Sequence, residues 1–439
     1  MIKIYGKLSS YHKKIILLVL LCFTLAANLA WLNPSPESEV YKTTPEIPFF
    51  WQYNPDSGVE ILSAAYFPEV FKTYKTRMDR PGYPIISKSI GLIVGFFLSP
   101  FKELKPLEKA AAGHLVLKIF LFCSFGILAF EILANYLSKS YAFFAVFILL
   151  THQFSISAFS TFHTLELQFI TPVFLTYFFI LLIKNYSHLR NILLSILIGI
   201  FMLSKPNYAF YLGFLFFGFI RGRYIETFIS FISHLTPFLA YFLYLKIMGI
   251  EFYSLTTEHY GQGIWLFEKL PFVQFQDLLT LIFVSISSFL NNLINHFNIL
   301  FFISILGFIH AYRKEVHVSF LLIFILIFMT WFQEFAADRY KNYMVADLSL
   351  IVVGFSIYYL KELLTNYSKK NLVLTSSIVW LSFNLFSLVN LPWVHPKEQI
   401  SRNIEVTNQR LDMVENYKNY SDKDRQNAKG GKLIIKEKN

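Results

Sequence analysis

The chain has 439 residues, of which 55% are hydrophobic, 19% aromatic and only 15% charged. A soluble domain carries about 25% charged residues, and the apolar runs recur along nearly the whole length, so a soluble globular protein is excluded. The formal charge of +11 does not point to nucleic acid: the basic residues stand mainly between apolar runs and in the tail, where they orient helices and meet anionic headgroups.

The alternating pattern of a membrane barrel is absent. Helices that satisfy their backbone groups internally are the remaining way through lipid. The expected fold is therefore an all-α polytopic membrane protein with about eleven transmembrane helices. Cys22 and Cys123 both fall inside apolar runs, which leaves neither a disulfide framework nor a cysteine metal site.

Lys3, Lys7, Lys13 and Lys14 precede an apolar run over 15–31, which reads as an uncleaved first helix with its N-terminus in the cytoplasm. Residues 34–110 then form a first outer loop, polar and aromatic, holding Asp56, Glu60, Glu69, Asp79 and Arg80. Within it, 83–101 is apolar but interrupted by Lys88 and fits a helix lying along the interface. Spans are expected over 113–135, 140–157, 167–183, 191–204, 206–220 and 224–248. Lys139, then Lys184 with Arg190, then Arg221 with Arg223 mark alternate ends as cytoplasmic, in agreement with the N-inside start.

The two spans around 204–208 are short and read as a shallow hairpin. A second outer loop runs over 249–276. Apolar stretches at 278–311, 317–333, 343–360 and 371–391 follow, the first too long for one straight span and expected to break near 291–298. The membrane domain thus covers 1–391, and 392–439 is a polar tail.

Soluble-enzyme motifs are missing: the sequence has no Walker loop, dinucleotide fingerprint, nucleophile elbow or His-Glu-x-x-His. The informative residues lie on one side of the membrane, in four short segments. Asp56 follows the first helix in Tyr53-Asn54-Pro55-Asp56-Ser57-Gly58. Asp79-Arg80-Pro81-Gly82-Tyr83-Pro84 comes next. Thr161-Phe162-His163-Thr164-Leu165-Glu166 opens the fourth expected span, and Ser204-Lys205-Pro206-Asn207-Tyr208 lies at the short hairpin.

This order, over roughly residues 10–225, resembles the GT-C superfamily of membrane glycosyltransferases. Its members include the lipid A aminoarabinose transferases, the protein O-mannosyltransferases and related bacterial lipopolysaccharide glycosyltransferases. The resemblance implies transfer of a sugar, hexose or pentose, from a polyprenyl-phosphate donor to a cell-surface glycan, lipid or protein acceptor at the outer face of a bacterial inner membrane. It also implies Asp56 as general base, Arg80 and Lys205 on the donor phosphate, and Glu166 orienting the acceptor or sharing a divalent cation with Asp56. His163, Tyr83 and Asp79 are possible substrate contacts.

The residue types suit that chemistry. A carboxylate takes the acceptor proton, and cations stabilise charge growing on the leaving phosphate, Arg as a fork and Lys as a point charge. Whether a metal takes part is open. Each residue also has an ordinary reading. Asp56 is a loop acid or cap, Glu166 an acid at a helix N-terminus, Lys205 a snorkelling lysine and His163 a packed histidine. Ser57 and Gly58 after Asp56, and His163 where the family often has Arg or Asp, depart from the pattern and leave the sugar open. The alternatives are a transporter or flippase for lipid-linked glycans, which favours paired repeats and polar residues at mid-membrane, and an O-antigen-ligase-like protein, whose large loop would come late.

Overall fold

A computed structural model describes residues 9–30, 55–73, 78–160, 166–184, 187–204, 222–253, 272, 274–314, 341–363 and 380. Thirteen helices occur among them: α1 (Ser10–Ala30), α2 (Pro55–Ala65), α3 (Val70–Thr73), α4 (Gly82–Leu98), α5 (Pro106–Ala134), α6 (Lys139–Thr151), α7 (Gln153–Ser160), α8 (Glu166–Lys184), α9 (His188–Ser204), α10 (Tyr224–Ile247), α11 (Phe275–Phe297), α12 (Ile299–Lys314) and α13 (Lys341–Leu363). The described residues contain no strand. The segments expected to span at 206–220, 317–333 and 371–391, and the tail at 392–439, lie outside the described residues apart from Trp380.

Local chemistry sets the helix ends. Pro106 occupies the first helical position of α5, where its missing N–H costs nothing. The Glu108 carboxylate reaches back to accept the Lys105 N–H at 2.7 Å, tying the first turn. At the other end of α10, Gly249 takes φ +64°, open to glycine without a Cβ penalty. The Ile250 N–H then reaches the Leu245 carbonyl at 3.0 Å and the Gly249 N–H the Lys246 carbonyl at 3.2 Å, closing the helix.

Helices α5 and α10 are each long and apolar enough to cross a membrane, and α11 with α12 is a third candidate, bent by 109° at its break. That break falls at Asn298, with φ 48° and ψ −126°, inside the stretch where the sequence places it. The segment expected as one span at 140–157 is instead two helices, interrupted at His152, whose ψ of 143° is extended. Large apolar side chains such as Phe96, Ile225, Phe228 and Leu243 face outward, the arrangement of a surface immersed in lipid.

Helix α5 is the hub, with α1, α2, α4, α6 and α8 packed around it. Its closest neighbour is α4, because Ser87, Gly91 and Gly95 repeat every fourth residue and are buried against it. Small residues at that spacing let two backbones approach where lipid offers no hydrophobic drive for association. A Cβ on Gly113 of α5 would stand 1.9 Å from the Ser87 carbonyl oxygen, and one on Gly91 would stand 2.0 Å from the Lys109 carbonyl oxygen. The N-terminal half of α4 is thereby pressed onto the face of α5 that carries His114 and Lys118.

Candidate active site

On α5, His114 and Lys118 are one turn apart and share a face. Tyr83 and Ser87 stand at the same spacing on α4. All four are buried. The Tyr83 and His114 rings stack at 4.9 Å between centroids. His114 Nε2 lies 3.3 Å from the Glu60 backbone oxygen, an acceptor, so that nitrogen carries the proton. Nδ1 then accepts from Ser87 Oγ at 3.0 Å. Both ring nitrogens are engaged, which fixes the imidazole as a neutral spacer between α2 and α4.

The Tyr83 hydroxyl donates to Glu166 Oε1. Burial first, and then the adjacent Glu166 carboxyl, push the phenol well above its ordinary range, so Tyr83 remains a neutral donor. Glu166 is fully buried at the N-terminus of α8, where the helix dipole favours an acid. Its second oxygen, Oε2, has no hydrogen-bond partner among the described residues. Lys118 and Glu60 are buried in the same cluster. Lys118 Nζ also donates to the Ala158 carbonyl at 2.8 Å, one of the last carbonyls of α7 that the helix leaves without an internal partner.

The segment before Tyr83 is held from the other side. The Tyr241 hydroxyl of α10 donates to the Met78 carbonyl at 2.8 Å, and the Lys88 ammonium to the Phe67 carbonyl at 2.6 Å. Between these anchors Arg80 Nε and Asp79 Oδ1 stand 3.8 Å apart, both largely buried. Gly82 is set against the last turn of α9: a Cβ there would meet Ser204 Oγ at 2.5 Å and the Ile200 carbonyl oxygen at 2.7 Å.

Of the four segments singled out in the sequence, three meet: Tyr83 reaches Glu166 and Gly82 is set against Ser204. The Asp79–Tyr83 stretch touches Glu166 on one side and Ser204, immediately before Lys205, on the other. Asp56 lies in the first turn of α2, one turn before Glu60. Lys205 and His163 themselves lie outside the described residues. Glu60, His114, Ser87 and Lys118 join the cluster without having been assigned a role from the sequence. Among the described residues no three His, Cys, Asp or Glu side chains come together as metal ligands.

The class that this architecture defines is a membrane protein, helical throughout its described residues, with helices apolar enough to cross the bilayer more than once and a buried polar cluster where the helices between α1 and α5 meet the bundle. No family model matches the chain, and no curated protein matches it in sequence. Among solved structures it is similar to the oligosaccharyltransferase of Archaeoglobus fulgidus. The form in complex with Zn and sulfate gives a TM-score of 0.49 at 15% identity, over 87% of this chain and 52% of that one. The apo form gives 0.47 at 14% identity, over 88% and 55%. The chain spans just over half the length of those enzymes.

Proposed function

We propose that this protein is a membrane glycosyltransferase of the GT-C type. It moves a sugar from a polyprenyl-phosphate donor to a hydroxyl of a cell-envelope glycan, lipid or protein at the outer face of the membrane. The observation that carries the reading is the meeting of the Asp79–Tyr83 segment with both Glu166 and Ser204. Residues more than 80 and 120 positions away are gathered by one turn of chain, and Asp56 opens the helix that supplies Glu60 to the same cluster.

In the proposed reaction Asp56 takes the acceptor's hydroxyl proton as that oxygen attacks the anomeric carbon. The bond from that carbon to the phosphate oxygen breaks, and polyprenyl phosphate leaves with its electron pair. Arg80 and Lys205 stabilise the charge that grows there. Tyr83 and Glu166 form the wall against which the acceptor is oriented, with water kept out by burial.

A transporter of lipid-linked glycans is the second reading, favoured by Lys118 in the middle of an apolar helix and by the helix breaks at His152 and Asn298, features that line transport paths. The test is to supply the purified protein with polyprenyl-phosphate sugars and follow release of polyprenyl phosphate. The transferase reading expects release, weakened about tenfold to a hundredfold in Arg80→Ala and in Lys205→Ala, the loss of one charge-assisted hydrogen bond. Translocation of intact donor across vesicles without release selects the transporter.

A further inference from the structure

Among the buried side chains of α5, His114 touches two other helices at once. It is 0% exposed. Nε2 meets the Glu60 carbonyl of α2 at 3.3 Å and Nδ1 meets Ser87 Oγ of α4 at 3.0 Å, with the Tyr83 ring stacked on its face at 4.9 Å. Those two helices bear on the two halves of the proposed chemistry. Asp56 lies one turn before Glu60, and Arg80 lies two residues before α4 begins.

Helix α2 cannot hold its own place. It has 11 residues, and an isolated helix shorter than about 12–15 residues is marginal in water, so packing decides where it sits. Its Ile61 and Leu62 lie against Leu107 and Ala110 of α5. Apolar contact is non-directional and lets a short helix slide or turn. The bond from His114 is directional. A backbone carbonyl has two lone pairs, so the Glu60 oxygen accepts from the imidazole without giving up its place in the helix ladder.

A buried histidine needs partners for its ring nitrogens wherever it packs, and two groups on one element would serve. Here the partners belong to α2 and α4, so the width of one imidazole sets the spacing between them. A base must come within hydrogen-bond reach of the proton it takes, and a misplacement of about 1 Å can cost about a hundredfold in rate.

We infer that His114 is a positioning residue for Asp56: from α5 it fixes the helix that carries the base against the helix that follows Arg80. The catalytic consequence rests on the transferase reading. The anchoring of α2 is a property of the fold.

The test compares two variants of the full chain that both lose the ring. In H114Q the amide nitrogen takes the place of Nε2 and still donates to Glu60. In H114N the shorter amide takes the place of Nδ1, meets Ser87 and falls short of Glu60. In sugar transfer H114N should lose about tenfold to a hundredfold more kcat than H114Q, with donor KM little changed in either, because Arg80 and Lys205 hold the donor. Added to D56N, H114N should cost little more. Amide hydrogen exchange over α2 does not depend on what the protein does. It should be about twofold to tenfold faster in H114N than in H114Q, the worth of one hydrogen bond.

Equal kcat losses in the two variants, or a loss that multiplies with that of D56N, would overturn the inference and leave His114 as a packed residue of the core. If H114N fails to fold, S87A is the second probe. It releases Nδ1 and lets the ring turn, so kcat should fall about twofold to tenfold at unchanged donor KM, and wild-type kcat there overturns the inference. A wild-type protein that transfers no sugar would sink the transferase reading. Unequal exchange in α2 would still uphold the anchoring by His114, and equal exchange would refute it.

Discussion

The seam between α4 and α5 offers the most direct probe of how the fold builds the site. Gly113→Ala adds one methyl group to α5. Its carbon would stand 1.9 Å from the Ser87 carbonyl oxygen and 2.7 Å from the Gly91 backbone nitrogen. An ordinary carbon–oxygen approach is about 3.3 Å, so the two backbones must part by roughly 1.4 Å. Neither contacted atom belongs to a side chain that can turn aside.

In the helix interior the substitution gains about 0.8–1 kcal/mol of propensity. Against that stand an overpacking cost of about 1–3 kcal/mol and the strain placed on the Tyr83–Glu166 and Ser87–His114 hydrogen bonds, each worth about 1 kcal/mol. The net expectation is a loss of about 1–3 kcal/mol. Gly126→Ala, on the same helix, is the matched control: its methyl would stand 2.6 Å from Ile15 Cγ2 and 3.4 Å from Leu150 Cδ1, both ends of side chains that can shift. Thermal unfolding of the two variants in the same detergent should find Gly113→Ala melting several degrees below Gly126→Ala, with sugar transfer impaired as the seam opens. Equal midpoints, or a higher one for Gly113→Ala, would refute the claim that close backbone contact holds Tyr83 in place.

Tyr83→Phe keeps the ring that stacks on His114 and removes the donor to Glu166. Transfer should fall about fivefold to a hundredfold, as when a buried acceptor loses its donor, and an unchanged kcat/KM would make that bond incidental to the reaction. For topology, a cysteine at Ser57 should react with an impermeant thiol reagent added outside and one at Ser187 should not. The reverse pattern would invert the membrane orientation and remove the outer-face site.

Much of the helical architecture is legible in the sequence because apolar run length and the positions of lysine and arginine are strong, local signals. Even the break before α12 announces itself, in a run too long to be straight and studded with Asn291, Asn292, Asn295 and Asn298. The break at His152 does not, since Thr151-His152-Gln153 carries no Gly, Pro or Asn to mark a turn.

For the site, Asp79, Arg80, Tyr83 and Glu166 stand out as polar residues in Pro-rich segments or at helix ends. That Tyr83 binds Glu166 is a fact of tertiary packing, set by the glycine seam 8 to 30 residues further along. His114 and Lys118 carried a signal that reading the runs as spans obscured: two ionisable residues one turn apart inside an apolar stretch mark a buried polar face. Glu60 was visible only as one acid among several in the first outer loop.

Asp56 bears the central chemical claim. Asp56→Asn preserves the size of the side chain and removes the proton acceptor, so expression, membrane insertion and donor binding should survive. Glu103→Gln, at an exposed acid in the turn between α4 and α5, is the control. With polyprenyl-phosphate sugar and a hydroxyl acceptor, the rate of sugar transfer by Asp56→Asn should drop by about a hundredfold or more, the contribution of a positioned base, while Glu103→Gln keeps near wild-type activity. Transfer by Asp56→Asn at the wild-type rate would contradict the account.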